Sequence, residues 1–147
     1  MYQRLLVILS VMVALTCNAA TSRGGENVWT GIVIANNVPQ PEPTPPELTR
    51  IQDTLKELFG YNQFRLIGQS NKRLEKGDED WMATSKYFAL KVDSKGASDS
   101  GYLLDLQLYQ EKKLLLETET KLSKRSPLVI RGPQIGDGQL LLLLVVQ

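Results

Sequence analysis

The chain has 147 residues, of which 42% are hydrophobic, 22% charged and 7% aromatic, amounts that fit one globular domain. It contains no histidine, which excludes imidazole metal sites, Ser-His and Cys-His nucleophile pairs and a histidine pH switch. Its 17 Lys and Arg stand against 16 Asp and Glu, so it lacks the positive field that draws proteins to nucleic acid, and no nucleic-acid partner is expected.

Met1–Arg4 carries one positive charge, Leu5–Leu15 is almost unbroken apolar sequence, and Thr16–Ala20 is small and polar. This is the layout of a secretory signal peptide over residues 1–19, cut between Ala19 and Ala20. The apolar stretch is about 11 residues, short of the roughly 20 that span a bilayer as a helix, so no membrane span is expected in the mature chain. The expected location is periplasmic or extracellular. An alternative makes Cys17 a lipidated first residue, with Asn18–Gly25 as its tether. Cys17 is the sole cysteine, so cutting after Ala19 leaves a domain without disulfides that its core alone must hold together.

Residues 20–27 read as a flexible start and 28–147 as a single domain. Val28–Ala35 reads as a strand, with Val28, Thr30, Ile32 and Ile34 on one face and Trp29, Gly31, Val33 and Ala35 on the other. Both faces are apolar, which predicts cover on each side. Pro39–Pro46 holds prolines at 39, 41, 43, 45 and 46 and reads as a stiff extended connector; a PxxP ligand for an aromatic groove is the alternative. Glu47–Phe59 reads as an amphipathic helix. Leu48, Ile51, Leu55, Leu58 and Phe59 form its stripe, proline is tolerated in its first turn, and Gly60 closes it.

From residue 61 onward β patterns dominate. Strands are predicted over 64–69, 87–92, 102–109, 113–122, 128–130 and 140–146, joined by short breakers that favour antiparallel hairpins. The expected fold class is therefore α+β, an antiparallel β-sheet with one amphipathic helix packed on a face. Leu140–Val146 is a continuous apolar run, which predicts a strand buried on both faces; donation to another protein's sheet is the alternative.

Few residue groups suggest chemistry. Gly132–Gly138 lacks the Gly-Lys-Ser/Thr ending of a phosphate loop and reads as turn chemistry around Gly136-Asp137-Gly138. Asp78 with Asp80, or Glu117 with Glu119, would be the acid pairs of a carboxylate-based hydrolase. The bland readings are a solvated loop for Asp78–Asp80 and a cross-strand ion-pair surface for Glu117, Glu119 and Lys121. Lys121, Lys124, Arg125 and Arg131 form a candidate interaction patch near Ser126-Pro127.

Two resemblances accompany these readings. At Leu58-Phe59-Gly60-Tyr61-Asn62 with Phe64 and Leu66, and again at Val129-Ile130-Arg131-Gly132-Pro133 with Gly138, the chain resembles small secreted bacterial proteins of unassigned function. That resemblance implies no catalytic residues. Glu119–Pro133 is similar to a hairpin of bacterial secretins, with Arg131 at the first glycine of their Ile-Gly-Gly turn; the rest of a secretin pore domain is absent. Together these readings lead to the expectation of a secreted, non-enzymatic interaction or accessory module of the bacterial cell envelope. It would need no cofactor, and its partner would be another envelope protein. A lipid-anchored assembly factor and a carboxylate-based hydrolase are the alternatives.

Overall fold

The computed structural model describes residues 25–147. Its strands are β1 (Glu26–Asn36), β2 (Gln63–Leu74), β3 (Asp80–Thr84), β4 (Phe88–Ala97), β5 (Gly101–Gln110), β6 (Lys113–Ser123), β7 (Leu128–Ile135) and β8 (Gly138–Val146). Between β1 and β2 lie a 3₁₀ turn, Pro46–Leu48, and a helix, α1 (Gln52–Phe59). The strands form two four-stranded sheets in the orders β2-β1-β8-β7 and β3-β4-β5-β6, with every pairing antiparallel.

The expected α+β class is thus overturned: 62% of the described residues are strand and 9% helical, and the two sheets make a β-sandwich. Short breakers do impose antiparallel pairing, but two of them do not close hairpins. The connections after β2 and after β6 instead carry the chain from one layer to the other. The second layer over the core is therefore a sheet, and the helix covers only an outer face.

Both faces of the β2-β1-β8-β7 sheet are buried at its centre, which accounts for the apolar runs of β1 and β8. Val28, Ile32, Leu140, Leu142 and Leu144 face the other sheet, where they meet Trp81, Leu90, Leu104, Leu106 and Leu108. Trp29, Val33, Leu141 and Leu143 face outward, against Leu48, Ile51 and Leu55. Burying a leucine fully contributes about 1.5–3 kcal/mol, so the five wholly buried leucines of 140–144 are a large share of the driving force. One buried polar contact ties the layers: Trp81 Nε1 donates to Thr30 Oγ1 at 2.9 Å.

The helical stripe is interrupted. Ile51 sits at φ −115°, ψ 5°, outside helical geometry, so the expected helix over 47–59 becomes a 3₁₀ turn followed by α1. Leu58, expected on the stripe, is 58% exposed. The proline connector is held along the start of β2, where Val38 N donates to Asn62 Oδ1 at 3.0 Å and Glu42 N to Gln63 Oε1 at 2.9 Å.

A bulge in β2 decides what the sandwich presents at one end. Ile32 pairs with Gly68 and Val33 with Leu66, leaving Ile67 as the extra residue. The alternation of β2 changes phase there. Phe64 and Leu66 pack toward the helix, whereas Arg65, opposite Ile34, shares the face that looks into the sandwich.

Candidate functional site

The two ends of the sandwich differ. At the end where β1 begins, polar groups lock the core. Tyr102 Oη donates to Glu26 Oε1 at 2.5 Å, Lys124 Nζ lies 3.1 Å from the same oxygen, and this ammonium sits 5.6 Å from the Tyr102 ring centroid. The Tyr102 hydrogen bond, aided by Lys124 and opposed by burial, holds the Glu26 carboxyl below its ordinary range; burial and the adjacent carboxylate push the Tyr102 phenol upward.

Beside this lock the 75–77 turn folds over Glu79. Its carboxylate accepts from the backbone N–H groups of Glu75 at 2.6 Å, Lys76 at 3.1 Å and Gly77 at 2.9 Å. Burial raises the Glu79 carboxyl, but the amides of Lys76, Glu75 and Gly77 outweigh it and bring the group down to about 2. Gly77 adopts φ 89°, which the turn requires, and Ser94 Oγ donates to its carbonyl.

The opposite end is apolar and open. A cleft of about 450 Å³ has Ile34, Ile67, Phe88 and Ile135 as its floor, and Arg65 and Lys86 among its lining residues. Lys86 and Tyr87 occupy the two central positions of the β3–β4 turn, pinned by Ser85 N donating to the Phe88 carbonyl at 2.8 Å and Phe88 N donating to Ser85 Oγ at 3.0 Å. Glu111 N donates to the Tyr87 carbonyl at 2.9 Å and ties the neighbouring β5–β6 turn to this tip. Tyr87 is 52% exposed, and Lys86 Nζ lies 5.3 Å from its ring centroid. Among the described residues the ion pairs are Arg73–Glu75 and Lys124–Glu26, so neither Arg65 nor Lys86 is matched by a carboxylate.

The patch expected from Lys121, Lys124, Arg125 and Arg131 is divided by the fold. Lys121 stands opposite Leu103 on the outer face of β3-β4-β5-β6, and Lys124 turns to Glu26. Arg125 stays beside Lys124, and both border a 320 Å³ cleft with Asp99 and Ser100. Arg131 is on the other sheet, 5.1 Å from the Phe59 ring centroid on the helix side. The acid pairs also separate in role. Asp78 remains exposed in its turn and Glu79 caps amides, while Asp80 starts a ladder across the sheet: Asp80 opposite Asp93, Asp93 opposite Asp105, Asp105 opposite Glu119. Glu117 accepts from Gln107 Nε2 at 2.9 Å, so the expected ion-pair surface does not form among the described residues. Nor, among these residues, does any group of three or more Asp, Glu, His or Cys side chains stand so as to hold a metal ion.

Like charges directly opposite on a sheet destabilise it, and Asp105 has one on each side. Asp105→Asn is therefore expected to stabilise the protein by about 0.5–1 kcal/mol, read as a higher urea midpoint in low salt. The gain should shrink in molar salt, where charges are screened within about 3 Å. An equal gain at both ionic strengths would assign it to packing.

The open end was not singled out as a site by the sequence, although Ile34, Arg65, Ile67, Tyr87 and Phe88 fell in predicted strands. The signal was the Ser-Lys-Tyr stretch between two apolar alternations, a turn that puts a cation beside an aromatic ring. Arg65 gave no such signal, because its orientation depends on the Ile67 bulge. Cys17, Ala19 and Ala20 lie outside the described residues. No helix among the described residues is long and apolar enough to cross a membrane. The chain matches no protein-family model, no curated protein and no solved structure.

Proposed function

We propose that the protein is a non-enzymatic binding module of the cell envelope, secreted by way of residues 1–19, and that it binds an apolar ligand at the open end of its sandwich. The observation that carries this proposal is the contrast between the ends. At one, Glu26, Tyr102, Lys124 and Glu79 pair with one another or with backbone amides, whereas the other leaves Ile34, Ile67, Phe88 and Ile135 around a cleft of about 450 Å³ whose cations have no carboxylate partner among the described residues. Small-ligand sites are of this kind, concave and mostly apolar with a few placed polar groups, and typically about 300–1,000 Å³. The acid pairs of the hydrolase alternative do not border this cleft. An envelope protein remains the proposed partner, as the donor or acceptor of the ligand.

Nile red, a neutral probe that brightens in apolar surroundings, tests the site. Saturable one-to-one enhancement is expected, and Ile67→Ser should weaken it about tenfold or more while Leu103→Ser, on the outer face, leaves it unchanged. Equal binding by a folded Ile67→Ser variant would remove the cleft as the site. The envelope assignment is tested separately by intact mass: a chain starting at Ala20 in the soluble envelope fraction is expected, and one retaining Met1 in the cytoplasm would refute it.

A further inference from the structure

We infer that the ligand of this cleft is a single-chain amphiphile with a carboxylate head, a free fatty acid being the simplest member; the inference rests on the binding-module proposal. Four apolar side chains make the floor, and the charged lining residues, Arg65 and Lys86, are both cations. An occupant complementary to this arrangement has a tail for the floor and an anion for the rim.

Placement of the two cations is built into the fold. Pairing with Ile34 directs Arg65 to the inner face of edge strand β2, where it stays exposed among the residues that line the cleft. Lys86 is fixed at the tip of a hydrogen-bonded turn, its ammonium against the Tyr87 ring. Neither is matched by a carboxylate among the described residues, so both retain their donors for a ligand. A guanidinium fork donates to the two oxygens of a carboxylate side by side, and a lysine adds a point charge beside it. The cleft volume lies in the lower half of the usual range for ligand sites, which favours one chain over two.

Displacement of Nile red by three amphiphiles of equal chain length, used below micelle formation, tests the inference: laurate, dodecyl maltoside and dodecyltrimethylammonium. Laurate is expected to bind at least tenfold more tightly than the maltoside, with the cation weakest. Each methylene added to the fatty acid should tighten binding about fourfold until the cleft is filled. The double variant Arg65→Gln, Lys86→Gln should lose about tenfold or more for laurate and leave dodecyl maltoside unchanged. Equal binding of all three amphiphiles, or equal losses for laurate and maltoside in the variant, would overturn the carboxylate inference and leave the apolar site standing. Failure of all three, with no saturable Nile red signal, would overturn the binding-module proposal itself.

Discussion

A chain ending at Gln139 is expected not to fold. Residues 140–147 contain most of β8, which lies between β1 and β7 and is hydrogen-bonded to both. Without it the first sheet separates into a β2–β1 pair and a lone β7, and the inter-sheet core loses Leu140, Leu142 and Leu144 at once. The helix side loses Leu141 and Leu143 as well. Each wholly buried leucine contributes about 1.5–3 kcal/mol, so five of them are comparable to the about 5–15 kcal/mol by which domains are stable. The truncated chain should show neither a β-sheet far-UV spectrum nor a cooperative urea transition. Leu142→Ala in the full chain tests the same contacts more gently, with an expected cost of about 2–5 kcal/mol. A truncated chain with a cooperative transition would show that β8 is an accessory strand, open to donation elsewhere.

Where residues repeat with a clear period and both neighbours of a strand come from the same domain, the fold was readable. β1 and β8 are such cases: their apolar residues on both faces announced two-sided cover, and they form the centre of a sheet between a second sheet and a helix. β5, and β6 from Leu116 onward, alternate because one face looks into the core and the other to solvent, whereas a bulge at Leu115 leaves Leu114 exposed. β2 was predicted over only six residues because its second half, Ser70–Arg73, is polar throughout before it reaches buried Leu74. β3 went unseen, since its five residues bury only Trp81 and Ala83 and begin on an acid. The division into two sheets had no local signal at all. Nothing in Lys76-Gly77-Asp78 distinguishes a turn that closes a hairpin from one that crosses layers, and that difference separates a sandwich from one sheet with a helix. The same limit hid the candidate site, whose parts come from β1, β2, β7 and the β3–β4 turn and meet only once the layers are stacked.

One half-buried acid that read as a member of a solvated cluster should dominate the acid limb of stability. Glu79 is depressed from an ordinary 4.5 to about 2 because, against the cost of its burial, the amides of Lys76, Glu75 and Gly77 hydrogen-bond its ionised form. The unfolded chain therefore takes up this proton at a higher pH than the folded one. The stability it supplies is fully present above about pH 5, declines as the pH falls through 4.5, and is gone below about 2. Hydrogen bonds to a charged acceptor contribute about 1.5–3 kcal/mol, so Glu79→Gln should lower stability at pH 7 by about 2 kcal/mol, the amide oxygen retaining part of the interaction. Glu26, also depressed, titrates in the same direction and keeps some acid sensitivity in the variant. Urea midpoints measured from pH 7 to pH 2 should thus converge for wild type and Glu79→Gln. A constant gap between the two curves would mean that the charge of Glu79 does no work in the turn, and that its carboxylate holds the 75–77 backbone by shape alone.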